Sequence, residues 1–269
     1  MAKKLLVPTL NLDELTDNLD DGLQEISDLV GVALRAALRY NEGGQLNVDL
    51  QTGYSVANLG RSNAETKTLF NRWAITCGFR DALEHVSHLL ERMHDVILIW
   101  DRLPQAEAET RRKAFHRMGL PTKLSRLADN EGLAFGERPL KEVLGINALR
   151  NCFVHRRGLI TELEIPAGHD SLALSWRTLA LFVKRNDEFV RCRANEGFPE
   201  EAELFARVVP VNRVFTLGEA VVLSPQEFAD LCWTLHNFAL HALHALRDMG
   251  RGKGLRMHTR SKHWRHERD

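Results

Sequence analysis

Apolar residues recur at helical spacing through most of this chain and at strand spacing through one stretch near its C-terminal third. Between residues 11 and 41, Leu15, Leu19, Leu23, Ile26, Val30, Leu34 and Leu38 repeat with the period of one helix face, which predicts an amphipathic helix. Asp13, Glu14, Asp17, Asp20 and Asp21 crowd its front and Arg35 and Arg39 its rear, which suits the helix dipole. Gly43-Gly44 ends it, and residues 42–62, with Gly, Asn, Gln and few apolar side chains, read as a loop. The pattern leaves open whether this helix is an N-terminal arm or another helix of the same bundle.

Ser62-Asn63-Ala64-Glu65 reads as a capping box opening the longest helix, to about Trp100. Phe70, Trp73, Cys77, Leu83, Val86, Leu90, Met93, Ile97 and Trp100 form its wide apolar stripe, and Pro104 closes it. Residues 105–117 predict a charged, exposed helix, and residues 119–133 a weaker one broken at Gly119-Leu120-Pro121. Pro139 suits a first helical position, Leu140, Val143, Leu144, Ile146 and Leu149 continue that helix into Arg150, and Gly158 stops it. Strand alternation follows in 172–176, 179–183, 189–192, 208–209, 211–217 and 220–223, with Gly218-Glu219 as a hairpin turn. Ser224-Pro225-Gln226-Glu227 then opens a final helix whose core face is Phe228, Leu231, Cys232, Leu235, Ala239, Ala242, Leu243 and Leu246, ending at Gly250. The expected fold is mainly α: a helical bundle with a small β insertion, at about 165–223, before the last helix. The domains divide as an N-terminal helical arm and loop (1–62), a main domain (63–250) and a basic flexible tail (251–269) with no apolar stripe.

Composition narrows the function classes. A hydrophobic fraction of 44% over 269 residues supplies a real core. Lys and Arg number 36 and so do Asp and Glu, so any nucleic-acid role must rest on a local basic patch. Cys77, Cys152, Cys192 and Cys232 are scattered without a C-x-x-C pair, and the three in apolar runs (77, 152, 232) read as small buried hydrophobes of a reducing compartment. The opening apolar run is too short for a signal-peptide core, and no run approaches the roughly 18 apolar residues of a membrane span. A cytoplasmic location is expected, with no membrane association.

The candidate chemistry lies in Ala148-Leu149-Arg150-Asn151-Cys152-Phe153-Val154-His155-Arg156-Arg157-Gly158. A guanidinium can pair bidentately with phosphate oxygens, and an imidazole can move a proton near neutral pH. Arg80/His85 and Arg111/His116 share the spacing, but the first lies beside Asp81 and Glu84 and the second in a charge run, so both read as ion-paired or solvated surface. The ordinary reading of Arg150 and His155 is the same, cations at a helix C-terminus. His85/His88 and His241/His244 lack the four-residue spacing and Glu of H-E-x-x-H, and no metal or other cofactor is expected. P-loop, Rossmann and nucleophile-elbow motifs do not occur.

Arg150-Asn151-x-x-x-His155-x-x-Gly158 after an apolar helix, with Thr216 to Pro225 leading into a terminal helix, resembles the HEPN-domain family over roughly residues 63–250. The resemblance implies a metal-independent endoribonuclease that leaves 2′,3′-cyclic phosphate, with a composite site between two copies of the chain. In that reading Arg150 holds the scissile phosphate, His155 transfers protons, Asn151 orients His155 or the phosphate, and Arg156 and Arg157 add positive potential for the RNA backbone. It also implies a setting in bacterial stress response, toxin–antitoxin regulation or antiviral defence, with an antitoxin or defence protein as a possible partner. The alternative is a non-catalytic nucleotide- or RNA-binding, or dimerisation, module within a larger assembly.

Overall fold

The structure, a computed structural model, describes residues 12–39, 63–185, 188–192 and 203–255. The long helix α2 (Asn63–Trp100) is its spine. Phe79, Ala82, Leu83, Val86, Leu90, Met93 and Ile97 are fully or nearly fully buried, because neighbours cover α2 on more than one side. Helix α1 (Leu12–Arg39) packs along it with Leu15, Leu19, Leu23, Ile26 and Val30 inside the same core. The final helix α6 (Pro225–Gly252) lies against both, tied to α1 by His236 Nδ1 and Asp20 Oδ1 at 2.7 Å. The period of α1 thus placed its core residues correctly, except that Leu38 is exposed.

Where α1, α2 and α6 meet, the helices come close because Gly78 has no side chain. A Cβ there would overlap Val30 Cγ2 and lie 3.0 Å from Phe228 Cζ and 3.3 Å from Ile26 Cγ2. Neither the branched valine nor the helix carrying it can yield cheaply in a close-packed core.

Two short helices follow, α3 (Gln105–His116) and α4 (Leu120–Ser125), the latter running into a π-helical turn at Arg126–Asn130. α3 is charged and mostly exposed as its sequence predicts, but Phe115 at its end is buried. Helix α5 (Glu137–Arg156) begins two residues before Pro139, after Gly136 turns the chain at φ +79°. It buries Val143, Ile146, Leu149, Cys152 and Phe153. The capping box that opens α6 is present in full: Ser224 Oγ accepts from Glu227 N–H at 3.1 Å, and Glu227 Oε2 accepts from Ser224 N–H at 2.8 Å. α6 continues two residues past Gly250.

The β insertion is one antiparallel sheet, β2-β1-β3, built from β1 (Ser171–Arg185), β2 (Glu188–Arg191) and β3 (Leu204–Thr216). In register, Leu172 faces Phe215, Trp176 faces Val211 and Phe182 faces Phe205. Leu172, Leu174, Trp176 and Ala180 turn toward the helices, while Leu179, Leu181, Val208 and Val214 stay exposed. The two strands expected at 172–176 and 179–183 are therefore one. Those expected at 208–209 and 211–217 are also one, with Pro210 inside it. Proline is tolerated there because β3 pairs on one side only. The strand expected at 220–223 is absent: Ala220 makes only an isolated bridge to Leu159. Gly218-Glu219 is accordingly no hairpin turn of the sheet. Glu219 Oε2 instead accepts from Thr216 N–H at 2.9 Å and turns the chain back toward Ile160, whose N–H donates to the Glu219 carbonyl at 3.0 Å.

The observed architecture is a mainly helical fold with a three-stranded sheet before the last helix, and α1 belongs to its core. No described helix is long and apolar enough to cross a membrane. The capping serine Ser62, the loop at 42–62 and most of the basic tail lie outside the described residues.

Gly78→Ala should destabilise the protein by about 1–3 kcal/mol through overpacking. Gly31→Ala, at an α1 position with nothing within 4 Å of an added Cβ, should be neutral or stabilising by up to about 1 kcal/mol. Urea unfolding of both variants measures the contrast, and equal midpoints would contradict the close helix crossing.

Candidate functional site

α5 and α2 run antiparallel, and their contacts set where each motif residue goes. Phe153 meets Phe79 edge-on with ring centroids 6.0 Å apart, fixing the register. Five residues further along α2, Arg150 Nη2 lies 3.0 Å from Glu84 Oε1. Its Nη1 donates to Asn151 Oδ1 at 3.4 Å. The Arg150 side chain is 22% exposed, whereas Glu84 is 52% exposed, so this ion pair sits at the rim of the protein.

His155 is solvent-exposed in the last turn of α5. Five residues of helix separate it from Arg150 by about 140° around the axis. Among the described residues, no hydrogen bond or ion pair joins the two. Arg156 turns inward, with Nη1 2.6 Å from the Glu164 carboxylate, itself only 3% exposed. Glu164 also accepts from Thr161 N–H at 3.1 Å and Thr161 Oγ at 2.7 Å, so Arg156 closes a clamp on the loop after α5. Arg157 takes the left-handed conformation (φ +54°) that ends the helix, and its carbonyl accepts from Arg72 of α2. Gly158 follows at φ +79°, and a Cβ there would lie 2.6 Å from Arg72 Nη2. The left-handed conformation favours glycine, and a side chain there would push Arg72 off the Arg157 carbonyl.

A polar cavity of about 220 Å³ opens beside Arg150, between α2, the α3–α4 corner and α5. Glu84, Ser87 and Glu91 line it from α2, Asn147 and Arg150 from α5, and His116 and Lys123 from the corner. Lys123 is 3% exposed on its side chain. Its ammonium is paired with Glu91 Oε1 and donates to Ser87 Oγ at 2.8 Å. Burial pushes the Glu91 carboxyl up, but the hydrogen bond and charge of Lys123, with His116 and His88, outweigh it and hold the group below the usual glutamate range. Glu91 is therefore ionised at neutral pH. Its second oxygen, Oε2, lies 3.8 Å from His116 Nδ1 and 3.2 Å from His88 Nδ1.

His116 is thus part of a cavity wall that also carries Arg150, where the charge run around it suggested mere solvation. One signal for the cavity was present in the sequence. Leu120, Leu124 and Leu127 mark the buried side of the α4 segment, and Lys123 falls among them, where an ammonium needs a buried anion. Arg80, by contrast, is ion-paired to Asp81 at 3.0 Å on the surface, as expected. His241 and His244 line a separate cavity of about 660 Å³ toward the N-terminal half of α5. The Arg177 guanidinium there bonds Glu142 at 3.0 Å, and Arg247 bonds His244 at 2.8 Å. Among the described residues, no group of three or more His, Cys, Asp or Glu side chains is arranged to hold a metal ion. No protein-family model, curated protein or solved structure matches this chain.

Behind the cavity, His94 is buried and stacks flat on Phe115, with centroids 4.1 Å apart. Burial, reinforced by Arg126, His116 and Arg111 and opposed only by Asp95, lowers its pKa from 6.5 to about 4. Below pH 6.5 the unfolded chain binds a proton at this position that the folded chain refuses. The contribution of this group to stability should therefore be constant above pH 6.5, fall by on the order of 3 kcal/mol between pH 6.5 and 4, and change no further below that. His94→Phe should flatten the slope in urea unfolding measured across that range. An unchanged slope would show that His94 is not the group responsible.

Proposed function

We propose that this protein is a metal-independent endoribonuclease of HEPN type, working as a homodimer with a composite site. The observation that carries the reading is the divided exposure of α5. One face of the helix is buried from Glu142 to Phe153, yet its last turn leaves His155 in solvent while Arg150 lines a polar cavity on another face. Val154 is exposed in the same turn, and Leu69, Phe70 and Trp73 are exposed on the stretch of α2 that Arg72 ties to Arg157. Apolar surface beside the motif suits a second copy, whose His155 would meet the Arg150 of the first.

In that arrangement Arg150 binds the scissile phosphate and stabilises the charge that builds on its oxygens. Asn151, within reach of the Arg150 guanidinium, orients it. His155 of the partner copy takes the 2′-hydroxyl proton or protonates the 5′-oxygen leaving group. Arg157, exposed, adds positive potential for the RNA backbone. Arg156 adds less, because Glu164 already compensates its charge. The regulatory settings and the antitoxin or defence partner implied by the family resemblance belong to this same proposal.

A second reading has its own support. Among the described residues no hydrogen bond or ion pair joins Arg150 to His155 and Arg157 is exposed, which suits a non-catalytic nucleotide- or RNA-binding module. Cleavage of a mixed RNA pool in EDTA separates the two. Wild type should cut and leave 2′,3′-cyclic phosphate ends, and His155→Ala, matched for folding and oligomeric state, should lose about 10²–10⁴-fold in rate. Absence of cutting by wild type would favour the binding module.

A further inference from the structure

We infer that the cavity beside Arg150 is a phosphoryl-binding subsite, in which Arg150 and His116 of one chain grip the oxyanion of a nucleic-acid phosphate. The inference rests on Arg150 being the phosphate ligand, as proposed above, and adds a residue and a location that the motif does not contain.

Size comes first. At about 220 Å³ the cavity takes a tetrahedral phosphate with a few waters but not a whole nucleotide. Base and sugar cannot both follow the phosphate inside, which suits a site that grips a strand by its backbone. Its walls are predominantly polar, and the convergent donors are Arg150, His116 and Asn147.

Charge comes next. Lys123 and Glu91 cancel each other at the buried end, and Ser87 takes a further hydrogen bond from the ammonium. This fixed pair has a consequence at the mouth. Glu91 Oε2 faces Nδ1 of His116, so a protonated ring keeps Nδ1 turned inward and presents Nε2–H to a ligand. His116 is 44% exposed, and therefore reachable. The acid at the rim, Glu84, is exposed and bound to the protein through Arg150, a type of ion pair that contributes little and exchanges readily. An arriving phosphate offers Arg150 two oxygens in place of one carboxylate contact, and Glu84 can turn into water. Arg150 and a protonated His116 then stand as two donors around one anion. Glu84 thereby acts as a counter-ion that holds the arginine in place until the phosphate replaces it.

The test uses the full chain and the ring resonances of His116, identified as those missing from the spectrum of His116→Gln. Two probes are titrated separately at fixed pH and ionic strength: inorganic phosphate, and a deoxydinucleotide phosphodiester that lacks the 2′-hydroxyl and cannot be cut. Saturable movement of the His116 signals by the diester supports a strand phosphate. Movement by inorganic phosphate alone supports the subsite but assigns it to a free or terminal phosphate. In Arg150→Gln the affinity should fall at least tenfold, and in Glu84→Gln it should rise several-fold. His116 signals that do not move in wild type, or that move equally in Arg150→Gln, overturn the inference. In His155→Gln the signals should still respond even as RNA cleavage is lost. A wild type that binds phosphate here yet cuts no RNA would remove the nuclease reading and leave the subsite standing.

Discussion

The buried ammonium of Lys123 is the constraint on which the candidate site depends. A charge almost out of water must be compensated where it sits, and Glu91 and Ser87 do this from one face of α2. That compensation pins α4 to α2 and holds Glu91 ionised inside the protein. It also sets the Glu91 carboxylate beside His116 at the end of α3. Loss of either partner would strand a buried charge at a cost of about 3–5 kcal/mol. The pair therefore gives no large net stability, but it specifies one arrangement of the α3–α4 corner, and that corner is one wall of the cavity that Arg150 completes.

α5 has two roles along its length. Up to Phe153 it is a core helix, locked to α2 by the Phe79–Phe153 contact and toward the sheet by Glu142, which bonds Arg177 of β1. Its last turn is different. Glu164 draws in the Arg156 side chain and Arg72 holds the Arg157 carbonyl, while Val154, His155 and Arg157 stay exposed. The C-terminal stop is over-determined by Arg157 in the left-handed region, Gly158 behind it and the 2.7 Å bond from Val221 N–H to the Gly158 carbonyl. His155 is consequently presented from a rigid helix end, which is what a group intended to work against a second molecule needs.

Local patterns carried much of the fold. The period of α1 located its buried face, and Ser224 to Glu227 marked the start of α6 to the residue. The β insertion was harder to read, because Pro210 signals a break that an edge strand tolerates, and because the apparent hairpin at Gly218-Glu219 is a side-chain-capped turn. In α2, Phe70 and Trp73 continue the apolar stripe yet lie exposed: periodicity marks a face without saying whether anything covers it. The site was legible only in part. Arg150 and His155 stand out by type and spacing, but the partners that define them, Glu84 for Arg150 and Glu164 for Arg156, come from other segments at separations no local pattern reveals. His116 was passed over for the same reason, since its setting comes from Glu91 and Lys123 across the α2–α4 contact.

In the proposed dimer Arg150 of one copy works with His155 of another, and subunit complementation puts that pairing to the test. Arg150→Ala and His155→Ala proteins, each inactive alone, are mixed under conditions in which subunits exchange, and RNA cleavage is followed. Half of the dimers formed would be mixed, each with one complete pair in trans, so activity should return to roughly a quarter of wild type. A mixture as silent as its parents, with exchange verified by differently tagged chains, would contradict a composite site.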